Sequence, residues 1–386
     1  MSISVTDGLA RPVVEPNWTA QLRVLFLVQS LEGGGAERQI AYLANALSLK
    51  EWDVHLALLR LGHNWSRIAT ERIAIHHLKV RGNYDPSLIT AVWLAIRKLR
   101  PDIVLTWLPQ MDTLGGLCAT IAGVPWILCE RTTARAFSGG LRALVRRQVA
   151  RRASAVIANS EGGAAYWTSG TGRRPTVEVV PNIVPLADID AEVGAAVENR
   201  AATPTDRTVV AVGRLVPLRN YENLIAAWAA VWQSTRVRLT ILGDGSERQR
   251  LAELVERLKL DEAIEFPGFV SNVFGRMSRA EAYVSLSSIE GHPNATIEAA
   301  AVGCPLVLSD IPEHRCLFTS EEAIFAPLSD PPRIAAAVLE ALAHPARSRK
   351  RAALAQDRVR KAAECDVPET YNRILRRVVI EFRNAG

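Results

Sequence analysis

Two acids, Glu290 and Glu298, lie eight positions apart in the segment Ser288-Ile289-Glu290-Gly291-His292-Pro293-Asn294-Ala295-Thr296-Ile297-Glu298-Ala299-Ala300-Ala301. The run ahead of it, Ala282-Tyr283-Val284-Ser285-Leu286, reads as a buried strand. The order is therefore strand, Gly/Pro loop, helix. Glu290 falls on the loop, and Glu298 falls about one turn into the helix at ~1.5 Å of rise per residue. A helix start presents unpaired N–H groups and partial positive charge, which suits a phosphate. One ligand spanning this segment would set a sugar at Glu290, a diphosphate near Pro293, Asn294 and Ala295, and a ribose at Glu298.

Other segments repeat the pattern of an apolar run followed by glycine. Gly33-Gly34-Gly35-Ala36-Glu37-Arg38 follows the first such run and opens a helix, where glycines let the backbone approach an anion. It resembles G-x-G-x-x-G, but Arg38 stands at the third glycine and Asp53 begins the second strand instead of ending it, which weakens a dinucleotide reading. A plain tight turn is the other reading. Gly213-Arg214-Leu215-Val216-Pro217-Leu218-Arg219-Asn220 follows Val209–Val212, and two arginines on one loop can both grip a diphosphate through bidentate forks. The competing reading is surface charge. Gly243-Asp244-Gly245 and Pro267-Gly268-Phe269-Val270 follow the next two apolar runs and would line the same edge.

His292, between the two acids, either touches a bound sugar or shapes the loop. His55, His76 and His77 fall on strands and read as structural; His63, His314 and His344 read as loop or surface. No two histidines have metal-ligand spacing on a helix, and no metal site is expected. Asp188-Ile189-Asp190 is a D-x-D pair, but it lies in the expected linker and reads as chance. There is no G-x-S-x-G and no Walker A motif.

These loops need a frame. Short apolar runs alternate with helical patterns along the chain, which implies parallel sheets covered on both faces. The rhythm breaks between Leu186 and Asp206 and then restarts. The expected fold is α/β, with two doubly wound Rossmann-like domains facing across a cleft. The expected boundaries are a disordered leader over 1–20, a first domain over 21–185, a linker over 186–206, a second domain over 207–365 and a final helix over 366–386 that returns to the first domain. Ligands of such sheets bind beyond the carboxyl ends of the strands.

With 386 residues the chain is long enough for two cores. No apolar run reaches the ~18 residues of a membrane span, and the start lacks the pattern of a signal peptide. The five cysteines, Cys118, Cys129, Cys304, Cys316 and Cys365, are scattered and form no C-x-x-C, which argues for a reducing cytoplasmic compartment. The net charge of +6 is uneven. From Thr132 to Ser160 there are six arginines and no acid, with Leu141, Leu144, Val145 and Val149 interleaved at helical spacing. One reading is a solvated helix with an apolar stripe on the core. The other is a patch over Arg142–Arg152 that meets anionic lipid at the inner face of the cytoplasmic membrane, or an anionic acceptor. Aromatics that would stack bases are missing around it, so nucleic acid is not expected.

Taken together, Glu290-x7-Glu298, Gly33–Arg38, Val212-Gly213-Arg214-Leu215, Leu242-Gly243-Asp244-Gly245 and Phe266-Pro267-Gly268-Phe269-Val270 resemble, in order and spacing, the retaining glycosyltransferases of family 4 (glycosyl transferases group 1), which have the GT-B fold. The resemblance runs from about Leu22 to about Phe382. It implies a UDP- or GDP-linked sugar donor held mostly by the second domain, a glycan or lipid-linked acceptor, and no cofactor. Glu298 would bind the ribose, Glu290 the transferred sugar, and Phe269 or its neighbours the base. Arg214 and Arg219 would neutralise the diphosphate, helped by amides near Gly34, Gly35, Gly213 and Pro293–Ala295, with Asp244 and His292 nearby. Retention would proceed by front-face substitution, the leaving phosphate taking the acceptor proton.

Two positions depart from the family pattern. Arg219 stands where lysine is usual, and Arg131 stands where many relatives carry a histidine. Glu130 and Arg131, with Gln110 and Asp112, are therefore the acceptor-side candidates. A nucleotide-sugar epimerase or hydrolase, and a non-catalytic nucleotide-sugar binding protein, remain the alternatives on the same plan.

Overall fold

The computed structural model describes residues 21–32, 34–133, 140–169, 175–198 and 207–385. The expected leader over 1–20 and Gly33 lie outside the described residues. Among the described residues, thirteen strands form two sheets, every pairing parallel.

The first sheet contains β1 (Leu22–Leu27), β2 (Trp52–Leu58), β3 (Ile73–His77), β4 (Ile103–Trp107), β5 (Trp126–Glu130), β6 (Ala155–Ala158) and β7 (Thr176–Val179), in the order β3-β2-β1-β4-β5-β6-β7. The second contains β8 (Thr208–Val212), β9 (Arg238–Leu242), β10 (Ile264–Gly268), β11 (Ala282–Ser285), β12 (Leu306–Ser309) and β13 (Ala323–Ala326), in the order β10-β9-β8-β11-β12-β13. Central strands are apolar almost without a break: β4 and β5 are buried at every position. Helices cover both faces, so the strands are mostly apolar and a polar side chain on them, such as Thr106 or Glu130, needs a buried partner. Each sheet reverses its strand order once, between β1 and β4 and between β8 and β11. Loops leaving the carboxyl ends of strands at such a reversal splay apart and leave a crevice.

The segment expected as a linker is helical over Leu186–Glu198. Alanine and glutamate are good helix formers, and Ile189 anchors the helix, fully buried in a cluster with Phe274 and Met277 against which Leu186 and Val193 also pack. Glu192 adds a cap, its carboxylate accepting from the N–H groups of Phe274 (2.9 Å) and Gly275 (3.3 Å) at the start of the helix Val273–Arg279. That helix, Glu161–Thr168 and Pro312–Leu317 are further short helices that periodicity does not reveal.

The final helix, Val367–Ala385, packs on the first domain. Tyr371, Ile374, Leu375, Val378 and Val379 recur at helical spacing and enter the core that holds Trp52 and Trp107. The Trp52 indole N–H donates to Asn372 Oδ1 at 2.9 Å. The preceding helix, Pro345–Ala362, sits on the second domain through Ala355 and Val359.

The arginine-rich helix is Leu141–Ala150, and its apolar stripe faces outward. Leu141 is 75% exposed and Leu144 65%, while Arg146 is buried. Inside, Arg146 meets an acidic pocket: Nε and Nη2 donate to Asp112 at 2.9 and 2.6 Å, and Nη2 donates to Glu130 at 2.9 Å. Two buried carboxylates demand a counter-charge more strongly than the core demands a leucine, so Leu141, Leu144 and Val145 turn outward while Val149 packs against the core.

Candidate functional site

A cavity of about 890 Å³ opens between the domains where the two strand reversals face each other. The loops after β1, β8 and β11 all reach it, as does the turn at Leu108–Pro109 after β4.

On the second-domain side, Glu290 is buried and forms an ion pair with Arg219, which also donates to Ser287 Oγ at 3.1 Å. Burial disfavours the Arg219 charge, but Glu290, with Tyr221 and Tyr283, opposes it and the net shift of its pKa is upward. Arg214 lies on the exposed rim of the same loop and lines the cavity with Gly213. The helix Asn294–Ala301 points its start into the cavity. Its Asn294 amide is taken by the His292 carbonyl at 2.9 Å. The first-turn amides of Ala295 and Thr296 have no carbonyl four residues back within the helix and suit an anion. His292 and Pro293 complete this wall. Burial holds the His292 imidazole neutral, its pKa pushed down to about 4; Asn294 opposes the shift and Arg131 adds to it. Glu298 is 2% exposed, and burial raises its pKa against the opposing pull of Arg38.

The first domain supplies the opposite wall. Gly34 has φ +150°, a backbone region side chains rarely enter. A Cβ at Gly35 would overlap the Asn294 side-chain amide, so glycine sets how closely the domains approach. Gly291 does the same from the other side: a Cβ there would lie 2.7 Å from the Arg131 carbonyl oxygen. Arg38, one turn into the helix Gly35–Ser48, makes an ion pair with Glu298 across the cleft. His63, expected as loop or surface, stacks on Phe269 with ring centroids 4.6 Å apart. Arg38, Glu37, His63 and Arg67 line the cavity, although the motifs alone assigned none of them a role. His63 and Arg67 carry no motif; the short helix His63–Arg67 is held at the cleft by the bridge between Ser30 and Arg60 and by the Asn64 N–H donating to the Leu31 carbonyl at 3.1 Å.

Of the acceptor-side candidates, only Arg131 lines the cavity. Its guanidinium lies 3.9 Å from the Trp107 ring centroid, donates to Asn182 Oδ1 at 3.1 Å and donates to the Tyr371 hydroxyl of the final helix. Asn182 in turn donates to Asn294 Oδ1 at 2.7 Å, tying Arg131 to the donor-side helix. Asp112 and Glu130 belong to the buried Arg146 cluster instead. Asp112 is fully buried and accepts from Thr106 Oγ1 at 2.7 Å; burial pushes its pKa up to about 6, with Arg146 opposing and Glu130 reinforcing. Glu130 accepts from the N–H groups of Arg131 (2.9 Å) and Thr132 (3.0 Å) and from the Trp167 indole (3.1 Å), so it shapes the loop that presents Arg131. Gln110 is engaged by Gln29 and by the Asn83 carbonyl, away from the lining. Asp244 is also off the lining; its carboxylate accepts from the Gly245 N–H at 2.7 Å and stabilises the turn. The D-x-D acids are engaged in ion pairs, Asp188 with Arg67 at 3.4 Å and Asp190 with Arg360 at 2.6 Å.

Residues 196–358 match the family model for glycosyl transferases group 1, and residues 34–183 match that for the glycosyl transferase 4-like domain. The chain belongs to the group 1, family 4 glycosyltransferases. It is 27% identical over 302 residues to the N-acetylgalactosamine-N,N'-diacetylbacillosaminyl-diphospho-undecaprenol 4-alpha-N-acetylgalactosaminyltransferase of Campylobacter jejuni, covering 73% of this chain and 79% of that protein. It is 27% identical over 319 residues to the lipopolysaccharide core biosynthesis glycosyltransferase LpsD of Rhizobium meliloti, covering 79% and 84%. The GT-B fold is shared with Anabaena Alr3699/HepE, solved in complex with UDP and glucose (TM-score 0.79, 19% identity, 92% of this chain and 99% of that one). It is shared too with WaaG, a glycosyltransferase involved in lipopolysaccharide biosynthesis (TM-score 0.72, 14% identity, 91% and 99%). Among the described residues of this glycosyltransferase, no helix is long and apolar enough to cross a membrane.

Proposed function

We propose that this glycosyltransferase moves a sugar, with retention, from a UDP- or GDP-linked donor to a glycan or lipid-linked acceptor in envelope polysaccharide or glycolipid biosynthesis. The carrying observation is that Glu290, Glu298, Arg214, Arg219 and two helix N-termini, one from each domain, meet in a single cavity. In this reading the ribose lies at Glu298, the diphosphate between the helix starts and the two arginines, and the sugar at Glu290. The Campylobacter relative is named for transfer to a saccharide on diphospho-undecaprenol, the Rhizobium relative for lipopolysaccharide core biosynthesis, and Alr3699/HepE was solved with UDP-glucose.

In this reading Arg214, Arg219 and the amide dipoles carry the charge stabilisation, so no metal ion is required of the mechanism. Glu290 is held by Arg219 and accepts from sugar hydroxyls instead of attacking C1. The bond from C1 to the phosphate oxygen breaks as the acceptor oxygen bonds to the same face, and the departing phosphate oxygen takes the acceptor proton.

The outward stripe of Leu141 and Leu144, flanked by Arg142 and Arg151, supports contact with an anionic membrane. It adjoins the helix Pro109–Ile121, whose Ile121 is also exposed. This reading puts the protein at the cytoplasmic face, where nucleotide sugars are made.

A thermal-shift panel of UDP-, GDP- and ADP-sugars tests the donor, because binding raises the melting temperature by mass action. The anomeric configuration of the product, read by NMR, tests retention. Stabilisation by no nucleotide sugar overturns the reading. Donor consumption without an acceptor moves it to a hydrolase or epimerase, and tight binding with no turnover moves it to a binding protein.

A further inference from the structure

Resting on the nucleotide-sugar reading, we infer that the cavity ends, next to Glu290, in a seat for a carboxylate formed by Arg131, Asn159 and His292, and that the transferred sugar is therefore a uronic acid. Arg131 follows β5, Asn159 follows β6, and His292 lies on the loop after β11. All three line the cavity. The Asn159 N–H donates to the Glu130 carbonyl at 3.1 Å, which sets Asn159 beside the loop of Arg131. A Cβ at Gly291, between Glu290 and His292, would lie 2.7 Å from the Arg131 carbonyl oxygen, so the loop that carries Glu290 meets the same corner.

Arg131 is a cation without an anion. Among the described residues no carboxylate pairs with its guanidinium: Glu130 is committed to Arg146, and Glu290 to Arg219. Neutral groups hold it instead, namely the Trp107 ring, Asn182 Oδ1 and the Tyr371 hydroxyl. Burial keeps Tyr371 and the adjoining Cys129 thiol protonated, so neither supplies a negative charge. Burial also works against the Arg131 charge itself, and a cation held there without a counter-charge is costly. A neutral donor would tie the final helix at lower cost.

The unmet atoms describe the missing group. Arg131 Nε, Asn159 Oδ1 and His292 Nδ1 are buried with no hydrogen-bond partner among the described residues. A hexuronic acid supplies what they lack: its carboxylate neutralises the guanidinium, and the hydroxyl beside it donates to Asn159 Oδ1. His292, kept neutral by burial, adds no competing charge and in its Nδ1–H tautomer gives the carboxylate a second donor. A neutral hexose would leave the cation unpaired. The diphosphate has Arg214, Arg219 and the helix starts on its own stretch of the cavity.

Isothermal titration on the full chain tests this with UDP, GDP and three acid–neutral pairs: UDP-glucuronic acid and UDP-glucose, UDP-galacturonic acid and UDP-galactose, GDP-mannuronic acid and GDP-mannose. Wild type, Arg131→Gln and Arg131→Lys are compared. The wild type should bind one acid form about tenfold or more tighter than its neutral parent. Arg131→Gln should bring that pair to within about threefold while binding the free nucleotide like wild type, which also shows that the variant is folded. Arg131→Lys keeps the charge and should still favour the acid form. A wild type that favours no acid form over its parent overturns the inference and leaves the donor reading standing. Equal weakening of free nucleotide and both sugars in Arg131→Gln assigns the arginine to the diphosphate and overturns it too. A wild type that binds none of these ligands removes both.

Discussion

Arg219, on the loop after β8, and Glu290, on the loop after β11, are joined by an ion pair where the second sheet reverses its strand order. The group that would stabilise the leaving phosphate therefore also fixes the group that would hold the sugar. Arg219→Ala should lower kcat about a hundredfold with donor saturating, the usual cost of removing one charge stabiliser. Arg219→Lys keeps the charge but loses the planar fork, and should fall between the two. Arg214→Ala, at the rim, should also cost about a hundredfold. Steady-state kinetics check all three, and a variant within about twofold of wild type would remove that arginine from the reaction.

Glu298→Ala acts on binding more than on chemistry. It removes the ribose acceptor and strands Arg38, so donor affinity should weaken by about 1–3 kcal/mol. Calorimetry with the donor measures this, and unchanged affinity would take Glu298 out of the site.

The Arg146 cluster governs stability. Arg146→Ala leaves Asp112 and Glu130 buried without their cation and should destabilise the fold by about 3–5 kcal/mol, read from urea denaturation. Asp112→Asn in the same background should recover part of the loss, because one of the two stranded charges is gone.

His292 makes a pH prediction. Its folded-state pKa lies near 4, below the unfolded value of 6.5, so it contributes stability that is present above pH 6.5 and is lost as pH falls toward 4. His292→Asn should flatten that part of the melting-temperature profile. Retention of the full acid slope by the variant would assign the slope to other groups.

The outward stripe predicts lipid binding. Wild-type protein should sediment with vesicles rich in anionic lipid and less so as salt rises. Leu141→Ser combined with Leu144→Ser should reduce the bound fraction without changing turnover on a soluble acceptor. Equal sedimentation of the double variant would assign lipid contact to another surface.

Much of this was legible because parallel sheets write themselves as apolar runs. All thirteen strands coincide with such runs, and every glycine-bearing loop that follows one at a strand reversal arrives at the cleft. What escaped was set by tertiary contact. Arg146 reads as one more surface arginine until the carboxylates of Asp112 and Glu130, distant in sequence, are placed beneath it. Leu186–Glu198 reads as a linker because its alanines and acids mask the three apolar positions, Leu186, Ile189 and Val193, that pack on the second domain. Arg38 and His63 gain their meaning only from Glu298 and Phe269 in the other domain, and no local pattern carries that information.

The helix Val367–Ala385 is synthesised after the whole second domain, yet Tyr371 and Leu375 fill the core beside β1 and β2. On the ribosome, the first domain must wait with that groove uncovered until this helix emerges behind the second domain. A premature stop before Val367 would thus harm the half of the protein made earliest, and it would release Arg131 from Tyr371 at the cleft as well.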